Sequence, residues 1–148
     1  MQAREAVADL LCRVSTMALA TVGPDGEPQV AAVFFAADVA MNLYWVSMPG
    51  TRHGAAAVAT GRASAAIYPA VWGWAEIRGL QVTGRAEVVT DGSERAEALA
   101  LYRGRFALPA ALSALLATAA LYVLRPETLR WLDNSRGFGH KVMLEPAP

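Results

Sequence analysis

The sequence predicts a small β-barrel with short helices at its ends and rim, mainly β with α. Three observations predict it. Short apolar stretches of strand-like composition recur along the chain, clusters of Gly, Pro, Asp and Asn separate them, and only brief helical patterns intervene. No repeat, linker or low-complexity boundary divides the 148 residues, so 1–148 reads as a single domain. A hydrophobic fraction of 55% against 18% charged residues supplies a sizeable core and excludes disorder.

Residues 3–13 open the chain with Val7, Leu10, Leu11 and Val14 at the spacing of one helix face. The period then changes. Residues 17–22 form a short apolar run, Gly23-Pro24-Asp25-Gly26 a turn, and 29–36 a second run, together a hairpin. Asp38 to Asn42 turns again, and Leu43-Tyr44-Trp45-Val46-Ser47 is a third strand of β-branched and aromatic residues. Met48-Pro49-Gly50 breaks that strand. Thr51 stands at a helix N-cap position, with the helix running to Thr60 and closed by Gly61. Residues 63–68 are a fourth strand, and 74–89 one long or bent strand with Gly84 at a bulge or bend. Asp91-Gly92 turns, and Ser93 caps a helix through Phe106 with Glu94 and Glu97 in its first turns. A shorter helix follows over 109–117. The chain closes with strands at 121–124, 129–132 and 142–144, the first two parted by a turn at Pro126.

Thirteen basic residues balance thirteen acidic ones, and no Lys/Arg run appears, so the electrostatic footprint of a nucleic-acid binder is missing. Lys141 is the single lysine among them. Cys12 is the only cysteine, which rules out an intrachain disulfide and suits a reduced, cytoplasmic setting. Residues 1–5 do not have the pattern of a signal peptide. The uncharged stretch 106–124 approaches the length of a bilayer span, but it consists mostly of alanine and contains Pro109, Ser113 and Thr118. A buried helix running into a buried strand explains it better than a membrane segment.

The most chemical stretch is Ser47 to Gly54, at a strand end and a helix start. A helix N-terminus leaves N–H groups unpaired and carries positive partial charge, so it favours anions. The Ser47 and Thr51 hydroxyls with Arg52 and His53 then make a phosphate cradle. The alternative is that Thr51 only caps the helix and Arg52 and His53 are solvated; spacing alone favours that alternative. His53 and His140 have no Cys or carboxylate at metal-ligand spacing, so no metal site is expected. There is no Gly-x-Gly-x-x-Gly turn, Walker loop or Gly-x-Ser-x-Gly elbow. Trp45, Trp72, Trp74 and Trp131 read as core or interface filling.

The hairpin, the strand ending in Ser47, the Thr51-Arg52-His53 helix start and the run from Ile77 to Ala86 (Ile-Arg-Gly-Leu-Gln-Val-Thr-Gly-Arg-Ala) together resemble the FMN-binding split-barrel superfamily. Its best-known members are the pyridoxamine 5′-phosphate oxidases. The resemblance runs from Val14 to Leu144, and the tail from Trp131 to Lys141 is similar to an uncharacterised bacterial subgroup. It implies a split β-barrel of six or more strands with short peripheral helices. It further implies FMN as cofactor, its phosphate on Ser47, Thr51, Arg52 and His53, where His53 replaces a common lysine. The flavin ring would lie against the second strand at Ala31, Ala32, Val33 and Phe34, with Gln81, Trp131 and Phe138 lent by the other subunit of a homodimer.

The oxidases carry a basic residue at each end of that second strand; this chain has Ala31 and Ala36, and their Arg-x-His on the phosphorylated substrate is missing. The expected function is therefore a flavin-dependent oxidoreductase of unknown substrate, not a true pyridoxamine phosphate oxidase, with no assigned catalytic residue. The alternative is a non-catalytic split barrel holding flavin, a flavin-like cofactor, haem or no cofactor. Independently of the resemblance, so apolar a composition points to a second copy covering surface that one domain leaves exposed.

Overall fold

In the computed structural model, which describes residues 2–48 and 50–148, helix α1 (Ala3–Arg13) buries Val7, Leu10 and Leu11, the face its spacing predicts. Full burial of such side chains is worth about 1.5–3 kcal/mol each, enough to seat the helix across one end of the core. Strands β1 (Thr16–Val22) and β2 (Pro28–Phe34) form the expected antiparallel hairpin, with Val22 opposite Pro28. Gly26 supplies the left-handed residue of its turn at φ +82°.

The second strand does not run through to Ala36 as the composition suggests. It breaks at Phe35, whose side chain is fully buried, and resumes as β3 (Ala36–Ala37). Turning one large apolar ring into the core outweighs continuous pairing there. β3 pairs with β4 (Leu43–Ser47), and the Asp38 carboxylate closes the intervening turn by accepting from the N–H groups of Ala40 and Asn42 at 2.9 Å. Helix α2 (Arg52–Thr60) ends at Gly61, left-handed at φ +66°, and leads into β5 (Arg62–Ile67).

Three further expectations are corrected. Residues 74–76 are a 3₁₀ turn rather than strand, fastened by Glu76 Oε2 accepting from Gly73 N–H at 2.8 Å; the strand β6 is Arg78–Val88. Helix α3 (Gly92–Arg105) is capped by Asp91, not Ser93: the Asp91 carboxylate accepts from Glu94 N–H at 2.8 Å. After α4 (Ala110–Leu116), residues 120–133 form one strand, β7 (Ala120–Asp133), which passes through Pro126 without turning. Pro126 is tolerated because the β6–β7 register slips between Thr83 and Gly84, and a bulge does not need its missing N–H. Gly84 is required opposite it, since an added Cβ would lie 2.0 Å from the Arg125 carbonyl oxygen. β8 (Lys141–Leu144) pairs with β7.

The strand order is β2-β1-β5-β6-β7-β4-β3, with neighbours antiparallel. Its two ends, β2 and β3, are separated in the chain by Phe35 alone, so the sheet curls until they meet. This is a split β-barrel. Leu19, Leu43, Trp45, Ile67, Leu80, Leu124 and Leu129 fill it and are essentially inaccessible to solvent. Arg125 ties α3 to the barrel by pairing with both Glu94 oxygens at 2.8 and 2.9 Å and with Glu87 at 2.5 Å. The uncharged stretch resolves into α4 and the start of β7, and among the described residues no helix is long and apolar enough to cross a membrane.

Candidate functional site

Strand β4 delivers Ser47 to the mouth of the barrel, and the chain turns through Gly50, left-handed at φ +87°, into the first turn of α2. Pro49 lies outside the described residues. The turn brings Ser47, Thr51 and His53 together. Ser47 Oγ, 7% exposed, lies 2.6 Å from His53 Nε2. Thr51 occupies the N-cap position in extended conformation, but its hydroxyl makes no capping bond; Oγ1 is buried without a partner among the described residues. The helical ladder starts with Ala55 N–H donating to the Thr51 carbonyl, so among the described residues the earlier N–H groups of α2 have no backbone partner.

One further side chain shapes this corner and carries no sequence signal. Tyr122, buried and stacked on Trp45 with ring centroids 5.3 Å apart, packs its hydroxyl beside Gly54. A Cβ at Gly54 would meet that hydroxyl at 2.7 Å and Thr51 Oγ1 at 2.9 Å, so only glycine keeps the corner open. Arg52 is exposed and makes no ion pair among the described residues. Burial pushes the His53 imidazole below its ordinary value, so it is neutral at neutral pH. An orphaned hydroxyl, a free guanidinium and unpaired N–H groups form a donor set that fits a phosphate.

The remaining predicted residues lie elsewhere. On β2, Ala31 and Val33 point toward the core, whereas Ala32 and Phe34 are exposed on the outer face. Pairing places Ala32, Ala18, Ala66 and Gln81 in one row across β2, β1, β5 and β6. Strands lie about 4.8 Å apart, so Gln81 is roughly 14 Å from Ala32 within one chain. The tail divides. Trp131 is 3% exposed and belongs to the barrel core, while Phe138 is 85% exposed and meets Trp74 edge-on at 6.2 Å. Ala36, which the sequence reading placed at the far end of the second strand, lies in β3 and is buried.

The sequence reading assigns Asn134 no role, yet it is a buried clamp. Its amide donates to the Trp74 carbonyl at 3.0 Å, its side-chain oxygen accepts from Gly139 N–H at 2.9 Å, and its own N–H donates to the Ile77 carbonyl at 3.0 Å. It fastens the loop before β6 to the loop before β8. Among the described residues no three His, Cys, Asp or Glu side chains gather as a metal site.

A family model described as pyridoxamine 5′-phosphate oxidase matches residues 3–133. The chain belongs to that family. Solved structures agree on the fold. A conserved hypothetical protein from Mycobacterium tuberculosis is 18% identical and superposes with a TM-score of 0.78, covering 95% of this chain and 91% of that one. A heme binding protein from Mycobacterium smegmatis is 22% identical with a TM-score of 0.81; the match covers 98% of this chain but 58% of that longer one. An FAD binding protein from Mycobacterium smegmatis is 16% identical with a TM-score of 0.70, covering 99% and 98%. No curated protein matches. At these identities the structural likeness speaks for the oxidase-family barrel and not for one ligand.

Proposed function

We propose that this chain is an FMN-binding, flavin-dependent oxidoreductase acting as a homodimer, with a substrate other than pyridoxamine phosphate. The observation that carries the reading is the corner at Ser47, Thr51 and His53: a buried hydroxyl without a partner, at a helix start flanked by a free arginine. There Thr51 Oγ1 and the first N–H groups of α2 donate to phosphate oxygens, and Arg52 adds a charge-assisted contact. Bound flavin would supply hydride or electron transfer. The protein's part is to hold the ring along the exposed side of β2 and to keep water from it.

The row Ala32, Ala18, Ala66, Gln81 supports sharing between subunits. Gln81 stands three strands from Ala32 in its own sheet, and in a twofold pairing across this face a second Gln81 would come from the partner. The change of substrate rests on Ala31, within β2, and Ala36, in β3, which stand where the oxidases carry cations.

The same two alanines favour a second reading, a barrel that holds a flavin or haem without turning it over. Titration of the purified protein with FMN, followed by NADH or NADPH, separates the two. Saturable flavin binding and bleaching by reductant support the oxidoreductase. Binding without reduction supports the holder, and no flavin binding removes FMN from the site.

A further inference from the structure

Tyr122 reaches the Ser47 corner from β7, outside the β4–α2 turn that supplies the other groups there. Strand pairing sets it directly opposite Trp45 on β4, and the two rings lie 13° from parallel with centroids 5.3 Å apart. Trp45 is fully buried and Tyr122 is 6% exposed, so the stack leaves the phenol little freedom to turn away. Its hydroxyl ends beside Gly54, in the first turn of α2.

Although the residue is almost wholly out of water, that hydroxyl makes no hydrogen bond among the described residues. Thr51 Oγ1 is buried without a partner among them as well, so neither hydroxyl serves the other. Both border the point that a Cβ of Gly54 would occupy, Tyr122 Oη at 2.7 Å and Thr51 Oγ1 at 2.9 Å. A hydroxyl withdrawn from water forfeits a hydrogen bond unless an acceptor replaces it. Two such donors converge here on one spot, at the positive end of a helix whose first N–H groups have no backbone partner among the described residues. The acceptor that completes this arrangement is an anionic oxygen.

We propose that the Tyr122 hydroxyl donates to a terminal oxygen of the FMN phosphate and makes the corner select a phosphomonoester over a flavin with no phosphate or with a diphosphate. The inference rests on the flavin reading of this corner and adds to it a specificity-determining residue from β7. A monoester turns three terminal oxygens toward the donors, one of them deep enough to meet Tyr122 and Thr51. A diphosphate keeps only two on that phosphorus, and its continuing chain must leave by the opening through which the ribityl chain enters. Riboflavin offers no anionic oxygen and leaves both hydroxyls unsatisfied.

The test titrates FMN, riboflavin and FAD into the full chain by flavin fluorescence and repeats the series with Tyr122→Phe, which keeps the ring on Trp45 and removes only the hydroxyl. Wild type is expected to bind FMN about tenfold or more tightly than either relative. Tyr122→Phe should weaken FMN roughly tenfold to a hundredfold, leave riboflavin unchanged and narrow the gap between FMN and FAD. The phosphorus resonance of bound FMN should shift between the two proteins, which a role in packing alone would not produce. Gly54→Ala reaches the same spot from α2 and should weaken FMN while sparing riboflavin. With wild-type binding intact, equal FMN affinity in Tyr122→Phe overturns this inference and leaves the flavin reading in place. Equal losses of FMN and riboflavin overturn it too, because Tyr122 would then support the ring and not the phosphate. A wild-type chain that binds no FMN removes the flavin reading and this inference with it.

Discussion

Burial holds His53 below its ordinary value of 6.5 and keeps it neutral against Ser47, and this sets the pH behaviour of the whole corner. The unfolded chain takes up the His53 proton first as pH falls, so stability held above the unfolded value is lost as pH drops toward the folded one. Thermal unfolding of the apo protein should show that loss as pH falls below about 6.5, reduced in His53→Gln. A phosphate reverses the preference by favouring the imidazolium, so FMN should bind more tightly at about pH 6 than at about pH 8. His53→Lys should tighten binding and flatten that dependence; an unaltered profile would place the phosphate elsewhere. Arg52→Ala should weaken FMN roughly tenfold to a hundredfold, the worth of one charge-assisted contact. A different residue-scale effect governs Gly84. Its missing Cβ is what lets the Arg125 carbonyl approach, so Gly84→Ala should cost about 3 kcal/mol or more in denaturant unfolding, whereas Gly92→Ala, with open space around it, should be nearly neutral.

At the scale of elements, the signals that could be read were those generated locally. The α1 face, the β1–β2 hairpin, β4 with the same limits and the Gly61 helix stop all follow from period or turn chemistry within a few residues, and each stands in the structure. What the sequence hid depends on partners distant in the chain. Pro126 looks like a turn until Gly84 is placed opposite it, and Phe35 looks like strand until the core claims its ring. The Ser47–His53 proximity was implicit in a strand end followed by a helix start, but Tyr122 reaches the corner from β7, some seventy residues on, with nothing local to announce it. Asn134 is of the same kind: its three bonds join segments that only the fold brings together. Asn134→Ala should leave the Trp74 carbonyl and Gly139 N–H without these bonds and cost about 1–3 kcal/mol. Trp74 and Phe138 should then move apart, readable as greater solvent quenching of tryptophan fluorescence. Unchanged stability would mean that the loops hold each other by the aromatic contact alone.

For the whole molecule the open question is what covers the outer face of β2, β1 and β5. Its rows run Ala32, Ala18, Ala66 and Val30, Ala20, Ser64, with Val30 73% and Phe34 47% exposed at the edge strand. Its side chains are mostly small, and small side chains allow another sheet to approach to about 10 Å. Exposed edge strands with apolar side chains also invite association, which a closed twofold pairing satisfies without open-ended growth. Light scattering of the purified protein at micromolar concentration should therefore give a mass near twice 15.7 kDa. Ala20→Glu tests the face directly, because Ala20 is exposed in the single chain and a carboxylate there leaves the barrel intact. Across a twofold interface the substitution would bury two unpaired carboxylates, a cost large enough to return the protein to monomer. If Gln81 serves the partner's flavin, that monomer should also lose FMN affinity although the Ser47 corner is untouched. A dimer unaffected by Ala20→Glu would move the interface to another face, and a wild-type monomer that binds FMN at full strength would end the shared-site reading.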